Sequence, residues 1–252
     1  MLRSILQEIP CVNAPGEVSN ASSENIRTDE LSFLRFRANA CNSNADFFYA
    51  TEDAQSKLLD LYLESVRKAA KDTNLIVLDI KYSHVHNFNA CWWDMSTRPF
   101  LLEYARKKKI RILHLVREKI YQTAVSNLYA RESGIWRAYR PDQVAHIKFT
   151  VDRNKLENKA KRLARTIDLF DEWLVGCRHL RLTYEALINA PRPTLRKLRN
   201  FLILDNEIRN GPTSLKTTPP YEEAFENFEQ IADLLDIELK NFGGSRRFSS
   251  DR

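Results

Sequence analysis

The sequence predicts an α/β fold: a mostly parallel sheet flanked by helices. Short apolar runs alternate along the chain with longer amphipathic segments, as strands and helices do in a sheet covered on both faces. One of these runs, Leu75 to Ile80, is apolar almost throughout, like a buried parallel strand.

In chain order, Leu2, Ile5, Leu6 and Ile9 fall at helical spacing. Pro10 to Ser23, rich in Pro, Gly, Asn and Ser, reads as loop. Asn25 to Ala50 has no clear period and is expected to be irregular with short helices. Asp53 to Ala70 forms an amphipathic helix with Leu58, Leu61, Tyr62, Val66 and Ala69 on one face. Leu75 to Ile80 is the first strand, and Lys81 to Thr97 is a polar, aromatic loop beyond it. A helix from Pro99 runs into Arg106-Lys107-Lys108-Lys109, read as its solvated basic end. Ile110 to Val116 is a second strand and Lys119 to Arg131 a helix. Residues 146–151 (HIKFTV) suit a short strand. Leu156, Ala160, Leu163, Ile167, Phe170 and Leu174 mark a long helix. His179 to Tyr184 is a third strand, followed by helices over Pro193 to Leu204 and Tyr221 to Leu239. The expected organisation is one domain over 1–242 with a flexible tail, 243–252.

Composition narrows the class. Over 252 residues, 43% are hydrophobic and 29% charged, as in an ordinary globular protein. No apolar run approaches a membrane span, and the first residues do not form a secretory leader. A cytoplasmic location is therefore expected. The four cysteines are scattered, without the spacing of a zinc site. The Asn20-Ala21-Ser22 sequon carries no weight in a chain of that location. The formal charge of +6 favours anionic partners. Those include a nucleotide, nucleic acid or a membrane surface; no nucleic-acid-binding motif accompanies the charge, so nucleic acid is the weaker expectation.

The strongest motif is ILHLVREKIYQTAVSNLYARESGIW, Ile112 to Trp136. A strand ends at Val116, Arg117 follows at its carboxyl end, and Ser126 lies two turns into the next helix. Ligands of open α/β sheets bind beyond the carboxyl ends of strands. A guanidinium fork, a hydroxyl and the positive end of a helix suit a phosphate there. By spacing alone, a surface ion pair for Arg117 and a packing role for Ser126 are the stronger reading.

The whole string resembles the 3′-phosphate-binding segment of the sulfotransferases that use 3′-phosphoadenosine 5′-phosphosulfate (PAPS). The likeness is to bacterial carbohydrate sulfotransferases of the nodulation-factor and trehalose type. It extends through Ala130-Arg131 and Gly134-Ile-Trp136, and HLRLTYEAL (179–187) resembles the family's strand ending in YEDL. The resemblance implies a P-loop-like sulfotransferase fold and transfer of a sulfuryl group from PAPS to a carbohydrate or glycolipid hydroxyl, with no metal. Arg117 and Ser126 would bind the 3′-phosphate, Tyr184 would lie near the adenine, and Lys216 would close over the phosphates. Glu17, in the loop NAPGE, would be the general base, ahead of His84. Lys81, in KYSHVH, would assist the leaving phosphate, although the family's spacing is Lys-x-His and here it is Lys-x-x-His. Trp92 or Trp93 would stack on a sugar. The family's amino-terminal 5′-phosphosulfate loop has no counterpart, and Met1 to Ile9 resembles the helix after it. The chain is thus expected to be an amino-terminally truncated sulfotransferase domain. The alternative is a non-catalytic sulfotransferase-like protein that binds a nucleotide or a partner.

Overall fold

The computed structural model describes residues 2–20, 29–48, 51–70, 73–90, 94, 96–136, 143–144, 146–205 and 218–241. The chain is α/β, helix-rich, with short parallel strands in two small sheets. Helix α1 (Leu2–Gln7) leads into β1 (Val12–Asn13). This strand lies within the stretch that reads as loop. It runs parallel to β2 (Leu75–Ile76), with Val12 opposite Leu75 and Asn13 opposite Ile76. Asn13 accepts a further hydrogen bond from the Val77 amide at 2.8 Å. Pro15 has no amide hydrogen to extend the ladder, and pairing resumes only as an isolated parallel bridge between Glu17 and Asp79. The strand expected over Leu75 to Ile80 is therefore reduced to two residues.

Between these strands lie α2 (Phe33–Ser43), a 3₁₀ turn (Ala45–Phe48) and α3 (Glu52–Ala69). Helix α2 occupies the stretch without a clear period. Its buried Phe33 stacks on Phe88, with ring centroids 4.2 Å apart, and meets Tyr62 edge-on at 5.1 Å. Ser32 caps it by accepting from the Arg35 amide. Thr51 caps α3 in the same way through the Ala54 amide. A second 3₁₀ helix (Tyr82–Phe88) replaces the expected open loop after β2.

Helix α4 (Phe100–Lys107) precedes β3 (Ile112–Val116), which is followed by α5 (Ile120–Ser133). Helix α6 (Arg153–Trp173), β4 (His179–Thr183), α7 (Tyr184–Asn189), α8 (Pro191–Leu202), α9 (Tyr221–Ala224) and α10 (Phe228–Asn241) complete the order. Strands β3 and β4 form the second sheet. In the 146–151 stretch, Phe149 makes an isolated bridge to Phe225. None of the described helices is long and apolar enough to cross a membrane.

The chain falls into two compact units. The first comprises Met1–His114, Glu172–Leu180 and Arg192–Pro212; the second comprises Leu115–Asp171, Arg181–Pro191 and Thr213–Arg252. Each has its own core. Phe33, Leu58, Leu59, Tyr62, Val66, Phe88 and Phe100 anchor the first. Val125, Tyr129, Leu156, Ala160, Phe225 and Ile231 anchor the second. In the first unit the basic run is an ion-paired belt: Arg106 bonds Glu103, Lys107 bonds Glu52 at 2.7 Å, and Lys108 reaches Asp60 at 2.8 Å.

Candidate functional site

In the first unit, topology gathers three of the expected residues. Glu17 follows β1 and Lys81 follows β2, both at the carboxyl end of this parallel pair. Lys81 is the cap of the 3₁₀ helix, whose first bond runs from the His84 amide to the Lys81 carbonyl at 2.9 Å. A 3₁₀ helix has three residues per turn, so side chains at i and i+3 eclipse one another. The Lys-x-x-His spacing therefore sends both side chains to one side, and Glu17 meets both. Glu17 Oε2 lies 2.5 Å from Lys81 Nζ, and Oε1 lies 2.5 Å from His84 Nδ1. The second contact is close but off the line of a well-directed hydrogen bond, since neither atom completes one. The carboxylate and the imidazole are mostly buried, whereas Lys81 is more than half exposed. The group is thus a carboxylate–imidazole pair with an ammonium at its open edge.

The turn carrying Lys81 and His84 is firmly held. Asn87 donates from Nδ2 to the Ser19 carbonyl at 2.8 Å, tying the turn to the loop that presents Glu17. Gln55 donates to the Phe88 carbonyl at 2.5 Å and Arg37 to the Asn89 carbonyl at 2.7 Å. Asn89 in turn accepts from the Phe100 amide with its side-chain oxygen at 2.9 Å. The Tyr82 hydroxyl lies 2.6 Å from Nε2 of the buried His114 on β3. Sequence reasoning missed Tyr82 and His114, because only the fold brings a residue of the turn beside one of β3. His86 faces away from this use: its Nδ1 accepts from Asn89 Nδ2 at 2.9 Å and its ring meets Trp173 edge-on. Burial holds its imidazole below the ordinary value.

In the second unit, Arg117 stands directly after β3. Its guanidinium lies over the Tyr184 ring, 4.4 Å from the centroid. It is exposed and makes no ion pair among the described residues. The arginine is thus oriented by an aromatic face while its donors stay open, which is what anion capture requires. The alternative role in a surface ion pair is not what the described residues show. Ser126 is half-buried on α5, on the same helical face as Lys119 and Thr123.

One expectation changes. The Glu185 carboxylate accepts from the amides of Glu118 (3.1 Å) and Lys119 (3.2 Å), the residue before α5 and its cap, and so sets a negative charge beside the end of the helix that a phosphate would use. An acidic side chain is the favoured partner for such orphan amides. Lys216 lies outside the described residues, as do Trp92, Trp93 and the 243–252 tail. Among the described residues no group of His, Cys, Asp and Glu is arranged to hold a metal. In comparisons with protein-family models, curated proteins and solved structures, the chain finds no match.

Proposed function

We propose that the chain is a PAPS-dependent sulfotransferase of P-loop-like fold, acting on a carbohydrate or glycolipid hydroxyl. The observation that carries the reading is Arg117: a guanidinium at the carboxyl end of a strand, without an ion pair among the described residues, held over Tyr184 and followed by the Ser126 helix. It is supported by the likeness of Ile112 to Trp136 to the 3′-phosphate segment of that family. In this reading Arg117 and Ser126 bind the 3′-phosphate with their side chains, beside the Glu185 carboxylate that bonds the amides of Glu118 and Lys119. Tyr184 braces the arginine as well as lying near the adenine.

The acceptor oxygen attacks sulfur, the bond from sulfur to the 5′-phosphate oxygen breaks, and its electron pair stays on that oxygen. The acceptor proton passes to the Glu17–His84 pair, which acts as one acid–base unit. Lys81 supplies positive charge for the oxygen that leaves. Lys216 would add a phosphate contact.

The test is calorimetry with adenosine 3′,5′-bisphosphate and adenosine 5′-phosphate, followed by an assay of radiolabelled PAPS with a panel of sugars. The bisphosphate should bind more tightly, and Arg117→Ala should weaken it by roughly 10- to 100-fold, the worth of a charged hydrogen bond. Equal affinity for the two nucleotides removes the reading. Selective binding with no turnover on any sugar supports instead a non-catalytic nucleotide-binding protein.

A further inference from the structure

We propose that the amino end of the β1–β2 pair carries a second binding site, for a small apolar carboxylate held by Arg111. The site belongs to the first unit and does not depend on the nucleotide reading. A cavity of about 420 Å³ opens there, a size that suits a small ligand. Cys11 and Asn74, each the residue before its strand, line it. The Cys11 carbonyl accepts from the amides of both Asn74 and Leu75 at 3.1 Å, which fixes this part of the lining. Leu202 at the end of α8, and Ile203 and Leu204 beyond it, supply more of the lining. Arg111, the residue before β3, supplies the charge. Glu17 and Lys81 lie at the opposite, carboxyl end of the same strand pair.

Arg111 is half-buried with its donors largely unmet. Its Nε is shut off from solvent and makes no hydrogen bond. Nη1 donates to the Leu202 carbonyl, but at a long 3.4 Å. The guanidinium makes no ion pair among the described residues. A charge withdrawn from water without a partner is unfavourable, and this one lines a cavity with room for a partner. Ile203 gives independent support. It follows α8 with φ 58°, in the left-handed region where glycine commonly ends a helix. The Leu204 amide bonds the Arg199 carbonyl at 3.1 Å and holds this turn. A β-branched residue is disfavoured there, and such strain gathers at ligand clamps. The Ile203 side chain is 64% exposed, so packing within the chain does not account for it. A role in covering a ligand does. The lining selects the class of ligand. A planar guanidinium matches a carboxylate through two parallel bonds. Leu75, Leu202, Ile203 and Leu204 suit an apolar body. The Asp205 carboxylate, in the same lining, opposes a second negative charge, which favours a carboxylate over a phosphate.

The experiment titrates benzoate and isovalerate into wild type, Arg111→Met and Ile203→Gly by calorimetry, with benzamide and inorganic phosphate as controls. Thermal melting and the rate of Cys11 alkylation, read by peptide mass spectrometry, accompany each titration. At least one of the two carboxylates should bind saturably to wild type, and benzamide and phosphate more weakly. The bound carboxylate should slow alkylation of Cys11, while Cys177, which does not line the cavity, keeps its rate. Arg111→Met keeps the apolar stem and removes the charge. It should melt close to wild type and bind the carboxylate about tenfold more weakly or worse. Ile203→Gly removes the strain and the cover together, so it should melt above wild type yet bind more weakly. A wild type that binds neither carboxylate, with Cys11 alkylated at an unchanged rate, overturns the proposal. So does equal carboxylate affinity in Arg111→Met and wild type, or a preference for phosphate.

Discussion

Arg117 owes its place to a stack rather than to an ion pair, so the shape of its head matters as much as its charge. Arg117→Lys should not restore nucleotide affinity lost in Arg117→Ala, since an ammonium offers neither a fork nor a plane to lie on Tyr184. Tyr184→Phe should leave affinity close to wild type, and Tyr184→Ala should lower it by about 0.5–2 kcal/mol; titration calorimetry reads both. Glu17→Gln keeps the shape and removes the charge that holds Lys81 and His84. Turnover in the PAPS assay should fall by roughly 10²- to 10⁴-fold, with bisphosphate affinity near that of wild type. His86 gives a pH dependence of stability. Its folded value is depressed by burial, so on acidification the unfolded chain takes up this proton first. The contribution is fully present above the unfolded value of about 6.5 and is lost as pH falls through the folded value. Urea midpoints measured on either side of that range should decline toward acid in wild type and decline less in His86→Gln.

Glu185 acts at the scale of an element, closing the amino end of α5 with two hydrogen bonds. Glu185→Ala leaves two amides without their partner and should cost about 1–3 kcal/mol in chemical denaturation. The long helices were legible in the sequence because their apolar residues repeat at helical spacing over several turns; α3 and α6 are the clearest cases. Helix α2 was not, because its burial rests on aromatic contacts of Phe33 with residues about 30 and 55 positions away that no local period records. Strand β1 was hidden for a similar reason, since two residues between Pro10 and Pro15 carry no pattern of their own. At the site, Glu17, Lys81, His84, Arg117 and Ser126 were picked out by motif, but the contacts among the first three follow from topology and from the 3₁₀ pitch. The contacts of Glu185 had no readable signal, because they depend on the packing of segments distant in sequence.

Over the whole molecule, both compact units are discontinuous in sequence. The first needs residues 172–180 and 192–212 to complete itself. The Ile112 amide bonds the Arg178 carbonyl at 2.9 Å, and Arg98 donates to Cys177 Sγ at 2.8 Å. Arg111 reaches the Leu202 carbonyl at 3.4 Å. A fragment ending at His114 should therefore lack a cooperative thermal transition, although it holds most of the first core, and calorimetry of that fragment beside the full chain checks this. The same discontinuity orders events during synthesis. The ribosome delivers the first core early, yet the last segment of the unit around it emerges about a hundred residues later. At roughly 5–20 residues per second, that is a wait of about 5–20 s. For that interval the nascent chain carries a core whose bonding partners at Arg178, Cys177 and Leu202 have yet to arrive, the form in which a chaperone that holds unfinished chains would meet it.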